Sequence, residues 1–170
     1  LDELLGQQYP EQQYLVDRLV PYASITILSG QSRSFKTYTL LDIALCVASG
    51  EPLFNQFVTR QTGVLMIDEE NGERLLQKRL QQLNAHNELP VYVSSFGNFR
   101  LDDEHIEQAL DFCKANNIGL VIIDALIRVH SADENSAKDM SKVFSKLREF
   151  TKQGIAILVT QHHRKVGANG

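Results

Sequence analysis

Short apolar runs alternate with longer stretches of helical spacing along most of the chain. Residues 24–28, SITIL, form an apolar run of strand length. In KTYTLLDIALCVASG, residues Leu40, Leu41, Ala44, Leu45, Val47 and Ala48 cover a broad helical face, and Gly50 stands where a helix closes. GVLMID (63–68) predicts a second strand. NGERLLQKRLQQLNAH predicts a helix with Leu75, Leu76, Leu80 and Leu83 inward. VYVSS (91–95) alternates like a strand. LDDEHIEQALDFCKANN reads as a helix capped by Asp102, with acidic residues in its first turn. GLVIID (119–124) is continuously apolar until its last residue, as in a parallel sheet buried on both faces. A polar loop, HSADENSAKD, leads into the helix MSKVFSKLREFTKQ, and GIAILVT (154–160) is the last strand. This alternation predicts βαβ units and a doubly wound, mainly parallel α/β sheet flanked by helices. The stretch PEQQYLVDRLVP is open between a short helix and an edge segment.

Composition narrows the picture modestly. The chain has 170 residues, 43% of them hydrophobic, which suits one domain over 1–170 with a real core. A net charge of −4 gives no strongly basic surface, so nucleic-acid contact does not follow from charge. Cys46 and Cys113 lie far apart inside helical patterns and read as buried reduced thiols. No apolar run reaches the roughly 18 residues of a membrane span and no signal peptide is visible, so the expectation is a cytoplasmic protein without a membrane partner. The chain starts without Met and stops in KVGANG, so it reads as part of something longer.

In open α/β sheets, ligands bind at the carboxyl ends of the strands. The residues that follow these strands are polar, charged or able to transfer protons. After the first comes GQSRSFKT, close to the phosphate-loop pattern G-x-x-x-x-G-K-[ST], with Phe35 where the second Gly belongs. Backbone N–H groups there, with the following helix N-terminus, would make an anion nest. Lys36 would meet the β- and γ-phosphates, and the Thr37 hydroxyl would bind magnesium. Phe35 needs a negative φ, or strain of roughly 1–3 kcal/mol. The plainer alternative is a strand-to-helix turn with Lys36 as a surface charge. LVIID ends in Asp124, which either delivers an acid to a magnesium-bound water or caps the next segment. Asp68, Glu69 and Glu70 crowd the second strand's end, either near a cation or at a helix start. Alternation would place Asp68 and Glu70 on one side and Glu69 on the other. Gln161, His162 and His163 follow the last strand, and neighbouring His residues point opposite ways, against a shared zinc ion.

Together these stretches resemble the RecA-like P-loop ATPases, most closely the RepA-type branch of hexameric replicative helicases, with KaiC- and DnaB-like proteins more distant. The likeness rests on GQSRSFKT running into LLDIALCVASG, VLMIDEENGERLLQKRL, LVIIDAL with DEN, and ILVTQHHRK, across most of 22–165. It implies ATP over Gly30, Gln31, Ser32, Arg33, Ser34, Phe35, Lys36, Thr37 and Tyr38, with Mg2+ held by Thr37 and Asp124. It implies Glu70 as the catalytic base and Gln161, His162 or His163 as sensors of the γ-phosphate. It further implies a hexamer-like homo-oligomer and single-stranded DNA as a partner. The chain departs from the pattern in lacking the second loop Gly. It also stops before the strand that normally carries a trans-acting arginine, so C-terminal strands are expected beyond it.

The reading from sequence is a magnesium-dependent ATPase of helicase or translocase kind. Its rivals are an ATP-binding regulatory or scaffold protein with little turnover, favoured by the altered loop, and a P-loop small-molecule kinase, which would need an arginine-bearing lid.

Overall fold

The computed structural model describes residues 1–8, 11–31 and 34–162, the last by its backbone. In chain order the elements are α1 (Asp2–Gly6), β1 (Tyr14–Val16), β2 (Val20–Pro21), β3 (Ile25–Gly30), α2 (Lys36–Ser49), β4 (Gly63–Asp68), α3 (Glu73–Gln82), β5 (Val91–Ser95), α4 (Asp103–Ala115), β6 (Ile118–Asp124), a 3-10 turn (Leu126–Arg128), α5 (Ala137–Lys152) and β7 (Ala156–His162). Strands β3 to β7 form one parallel sheet in the order β3-β7-β6-β4-β5. The expected parallel α/β sheet flanked by helices is therefore what the chain forms.

The sheet order follows from the direction of the crossovers. The chain steps outward from β3 to β4 to β5, then returns to lay β6 and β7 in the gap between β3 and β4. Right-handed crossovers made in opposite directions put their helices on opposite faces. Accordingly α2 and α3 cover one face, where Leu40, Leu41, Ala44, Val47 and Leu76 pack on Val64, Met66, Leu120, Ile122 and Leu158. Helices α4 and α5 cover the other, where Ile106, Cys113, Val143, Leu147 and Phe150 pack on Leu65, Ile67, Val121, Ile123 and Ile157. Successive strand residues thus feed two different cores, which is why β4 and β6 read as unbroken apolar runs.

Several boundaries differ from the sequence expectation, each for a local reason. Ser136 caps α5 by accepting the N–H of Asp139, so that helix starts at Ala137 inside the polar loop. Gly154, at φ +80°, turns the chain after α5, and β7 runs later than expected, through Gln161 and His162. The caps at Asp102 and Gly50 are as expected: Asp102 accepts from the N–H of His105, and left-handed Gly50 donates to the Cys46 carbonyl. Leu75 is a correction, since it is 40% exposed on α3. The inward stripe is Leu76, Leu80 and Leu83, spaced by four and three, and Leu75 falls outside it. Residues 14–21 resolve into an antiparallel pair, β1 with β2, whose Leu15, Val16 and Val20 cover the end of the α2-side core. Both cysteines are free thiols, and burial pushes each up to about 11.

Phe150 is fully buried between α5 and the sheet. Phe150→Ala should cost about 3–5 kcal/mol. Val58→Ala, at a side chain 68% exposed, should change stability by less than about 0.5 kcal/mol. Urea unfolding of both variants checks the assigned core.

Candidate functional site

The carboxyl ends of the five strands share one edge of the sheet. Strand β3 lies beside β7, and β7 beside β6, so one strand separates the loop after β3 from Asp124. Parallel register sets Asp68 of β4 opposite Asp124 of β6, Ser29 opposite Gln161, and Gly30 opposite His162.

The loop after β3 folds around its own lysine. Lys36 opens α2 and is only 8% exposed. Its Nζ donates to the carbonyls of Gly30 (3.1 Å) and Gln31 (2.8 Å), which ties the helix start back to the strand end. Gly30 suits this close turn, because a Cβ there would meet the Ser34 hydroxyl at 2.8 Å. Lys36 is therefore not the loose surface charge of an ordinary turn. Phe35 takes the strained option, a left-handed backbone at φ 59° and ψ 18°. That is the conformation a glycine supplies without steric cost. Its ring is 73% exposed and lies 6.1 Å, centroid to centroid, from the Tyr38 ring.

Asp124 is where the separate elements meet. It is 2% exposed. Its Oδ2 accepts from the Thr37 hydroxyl (2.8 Å) and from Asn71 Nδ2 (3.2 Å), and its Oδ1 accepts from the Thr160 hydroxyl. Residues from α2, β6, β7 and the turn after β4 therefore converge on one carboxylate. A hydroxyl and a carboxylate at this spacing are hard oxygen donors, the set that suits magnesium when phosphates and water complete the shell. The donor set thus fits the metal that the sequence resemblance implies. Among the described residues no cluster of three His, Cys, Asp or Glu side chains forms a ready-made metal cage.

Asp68 has a different task. It is fully buried, and its carboxylate accepts the N–H groups of Glu70, Asn71 and Gly72 and the Asn71 side-chain amide. Burial holds its carboxyl above the usual carboxylate range. The Asn71 hydrogen bond offsets part of this, and the Asp124 charge adds to it. Strand alternation does not govern Glu69 and Glu70, because β4 ends at Asp68 and the turn that Asp68 organises sets their directions. Glu69 is held away by the Phe99 N–H, which donates to its Oε1 at 2.9 Å. Glu70 is exposed at the rim of the same edge.

Gln161 is half-buried on β7, and the backbone of His162 ends that strand. Ser32, Arg33, His163 and the side chain of His162 lie outside the described residues. Tyr38 is placed on α2 beneath Arg79, whose guanidinium carbon lies 5.3 Å from the ring centroid. Three participants escaped the sequence reading as site residues: Asn71, Arg79 and Thr160. Thr160 immediately precedes Gln161 and could have been found as another polar residue ending a strand. Asn71 follows Glu70 directly, but nothing in its spacing points to Asp124, which is 53 residues away.

A parallel sheet with a lysine-bearing loop after β3 and a buried acid at the end of β6 belongs to the P-loop nucleotide-triphosphatase class. The family profile described as an AAA domain matches residues 1–168, and the chain belongs to that family of P-loop ATPases. No curated protein matches the chain. Membership makes nucleotide-dependent ATPase activity the general class of function. Among the described residues no helix is long and apolar enough to cross a membrane.

The left-handed Phe35 gives a direct check on the loop. Phe35→Ala keeps a Cβ and therefore the strain. Phe35→Gly removes strain of about 1–3 kcal/mol while adding roughly 0.5–1 kcal/mol of chain entropy cost. Phe35→Gly should therefore be more stable than Phe35→Ala, by up to about 2.5 kcal/mol. Urea midpoints with unchanged slopes measure this difference, and a less stable Gly variant would contradict the geometry.

Proposed function

We propose that the chain is a magnesium-dependent ATPase of the RepA-type helicase kind, one subunit of a hexamer-like ring that translocates on or unwinds DNA. The observation that carries the ATPase part is the Thr37–Asp124 hydrogen bond, which joins the helix after the loop to the end of β6 across 87 residues of sequence. In this reading residues 1–170 make one RecA-like ATPase domain, completed at its rim by a neighbouring subunit. ATP lies along Gly30–Tyr38, with the loop N–H groups and the α2 N-terminus facing the phosphates. Lys36 turns its Nζ from the Gly30 and Gln31 carbonyls toward the β- and γ-phosphates. Thr37 and Asp124 would hold magnesium, which would supply charge neutralisation at the phosphates. The Thr37 hydroxyl keeps its proton and donates it in the hydrogen bond to Asp124, so an oxygen lone pair would be available to the metal. Glu70, exposed at the same edge, takes a proton from the attacking water. Gln161, His162 and His163 sense the γ-phosphate from the end of β7.

The ring and the single-stranded DNA partner are supported by the set of stretches that resemble RepA-type helicases, not by charge. A second reading, an ATP-binding regulatory protein with little turnover, is favoured by Phe35 standing in the strained position. Turnover measured with and without single-stranded DNA separates the two. Stimulation by DNA supports the helicase reading, and binding without appreciable turnover supports the regulatory one.

Two substitutions test the assigned roles. Lys36→Ala removes charge-assisted contacts worth about 1.5–3 kcal/mol, so calorimetry in magnesium should show ATP binding weakened by about 10–100-fold. Glu70→Gln should lower kcat by roughly 10²–10⁴ while ATP affinity stays near wild type. Glu69→Gln keeps an acceptor for the Phe99 N–H and should change turnover little. Single-turnover hydrolysis of the two glutamate variants reads out which carboxylate does the work, and a dead Glu69→Gln beside an active Glu70→Gln would overturn the assignment.

A further inference from the structure

Asn71 sits where two buried carboxylates approach each other. Its Nδ2 carries two hydrogens, and one amide nitrogen reaches both Asp68 Oδ1 (2.8 Å) and Asp124 Oδ2 (3.2 Å). Its Oδ1 accepts from Arg79 Nη1 at 2.8 Å. A guanidinium only donates, so Arg79 fixes which end of the amide faces the acids. Arg79 in turn lies over the Tyr38 ring, and the Tyr38 hydroxyl donates to Gln82 on α3. Tyr38 follows Thr37 on α2, and Thr37 donates to Asp124. The contacts therefore close a circuit: Thr37, Asp124, Asn71, Arg79, Tyr38 and back to Thr37.

We propose that Asn71 is a positioning residue for the metal site: its amide, oriented by Arg79, bridges Asp68 and Asp124 and sets the direction in which Asp124 faces the Thr37 hydroxyl and the magnesium beside it. The inference rests on the magnesium-ATP reading. Asp68 and Asp124 are direct register neighbours on adjacent strands and both are buried, so their carboxylates repel each other with little screening. The bridging donor offsets that repulsion and removes the freedom of Asp124 to swing away from Thr37. An alanine at 71 leaves the two acids facing each other and leaves Arg79 without its amide partner. Groups that orient a metal ligand from behind govern metal affinity without touching the metal. Among the described residues the Asn71 side chain bonds Asp68, Asp124 and Arg79 rather than the loop after β3, so its removal acts on the metal-dependent part of nucleotide binding. The same circuit ties α3 to the start of α2, and Arg79 bears on Asp124 through Asn71, whose amide it orients.

The test is calorimetric binding of a slowly hydrolysed ATP analogue to the full chain, in magnesium and in EDTA. In wild type, magnesium strengthens binding. In Asn71→Ala that gain should fall by about 10–100-fold, the range for groups behind a metal ligand, while affinity in EDTA is unchanged. Arg79→Ala, at a half-buried position on the surface of α3, should lose the gain in the same direction, and the double variant should lose no more than Asn71→Ala. Arg79→Lys should restore part of the gain over Arg79→Ala, since a single donor can still reach Oδ1. The inference is overturned if Asn71→Ala retains the full magnesium gain with an unchanged melting temperature. It is equally overturned if affinity falls by the same factor in EDTA, which marks a general structural defect. Should Asn71→Ala melt early, Arg79→Ala decides alone by the same two criteria. A wild-type chain that binds the analogue equally with and without magnesium would overturn the magnesium-ATP reading itself, and this inference with it.

Discussion

The Asp124 carboxylate is the point on which the rest of the site depends. A buried carboxylate is tolerated only when donors replace the water it has lost. Here the replacements come from Thr37 on α2, Thr160 on β7 and Asn71 in the turn after β4. None of these donors is near Asp124 in sequence. They meet because the sheet order puts β7 between β3 and β6 and puts β4 on the far side of β6. The fold thus serves the site in a definite sense: the two-way winding of the sheet delivers three segments to one oxygen pair. The same winding buries both faces of the central strands and gives α2 and α3 one core, α4 and α5 another.

A second buried acid lies beside the first. Asp68 spends its oxygens on the backbone N–H groups of the turn that carries Glu70 and Asn71. One carboxylate shapes the turn, and the other takes the hydroxyls of Thr37 and Thr160 and the Asn71 amide. Equal chemistry in equal register receives two roles because different donors face each residue. The loop after β3 is built on the opposite principle. Lys36 stabilises it from inside through two carbonyls, while Phe35 strains it from outside by taking a left-handed backbone that a side chain disfavours. Strain of this kind persists where surrounding contacts over-determine a conformation, and it gathers at ligand clamps.

Much of this was legible in the sequence, and what was not has physical causes. Apolar runs and helical stripes predicted the parallel α/β sheet because burial on both faces leaves an unmistakable pattern in β4 and β6. The places of the loop at Gly30–Thr37, between β3 and α2, and of Asp124, at the end of β6, were legible because each follows directly on an apolar strand. Element ends were less so. The start of α5 depends on the Ser136 cap, and the turn into β7 depends on Gly154, both single-residue effects inside polar stretches. Leu75 was misplaced because the apolar face of α3 is narrow, one stripe through Leu76, Leu80 and Leu83, and the pattern alone did not choose which of two adjacent leucines falls on it. The backbone at Phe35 could be narrowed to two states but not decided, since the choice depends on how the loop closes between β3 and α2. Asn71, Arg79 and Thr160 were illegible as partners of Asp124 or of each other because their contacts are set by strand order, which no local pattern encodes.

The central claim is that nucleotide phosphates occupy the Gly30–Thr37 loop with a metal between Thr37 and Asp124. A crystal structure of the chain with a non-hydrolysable ATP analogue and magnesium tests it most directly. The account predicts β- and γ-phosphates against the loop N–H groups and Lys36 Nζ, with a magnesium ion bound to Thr37 Oγ1 and linked to Asp124. An analogue bound at another edge of the sheet, or a Lys36 still closed on the Gly30 and Gln31 carbonyls beside an empty loop at saturating analogue, would contradict it.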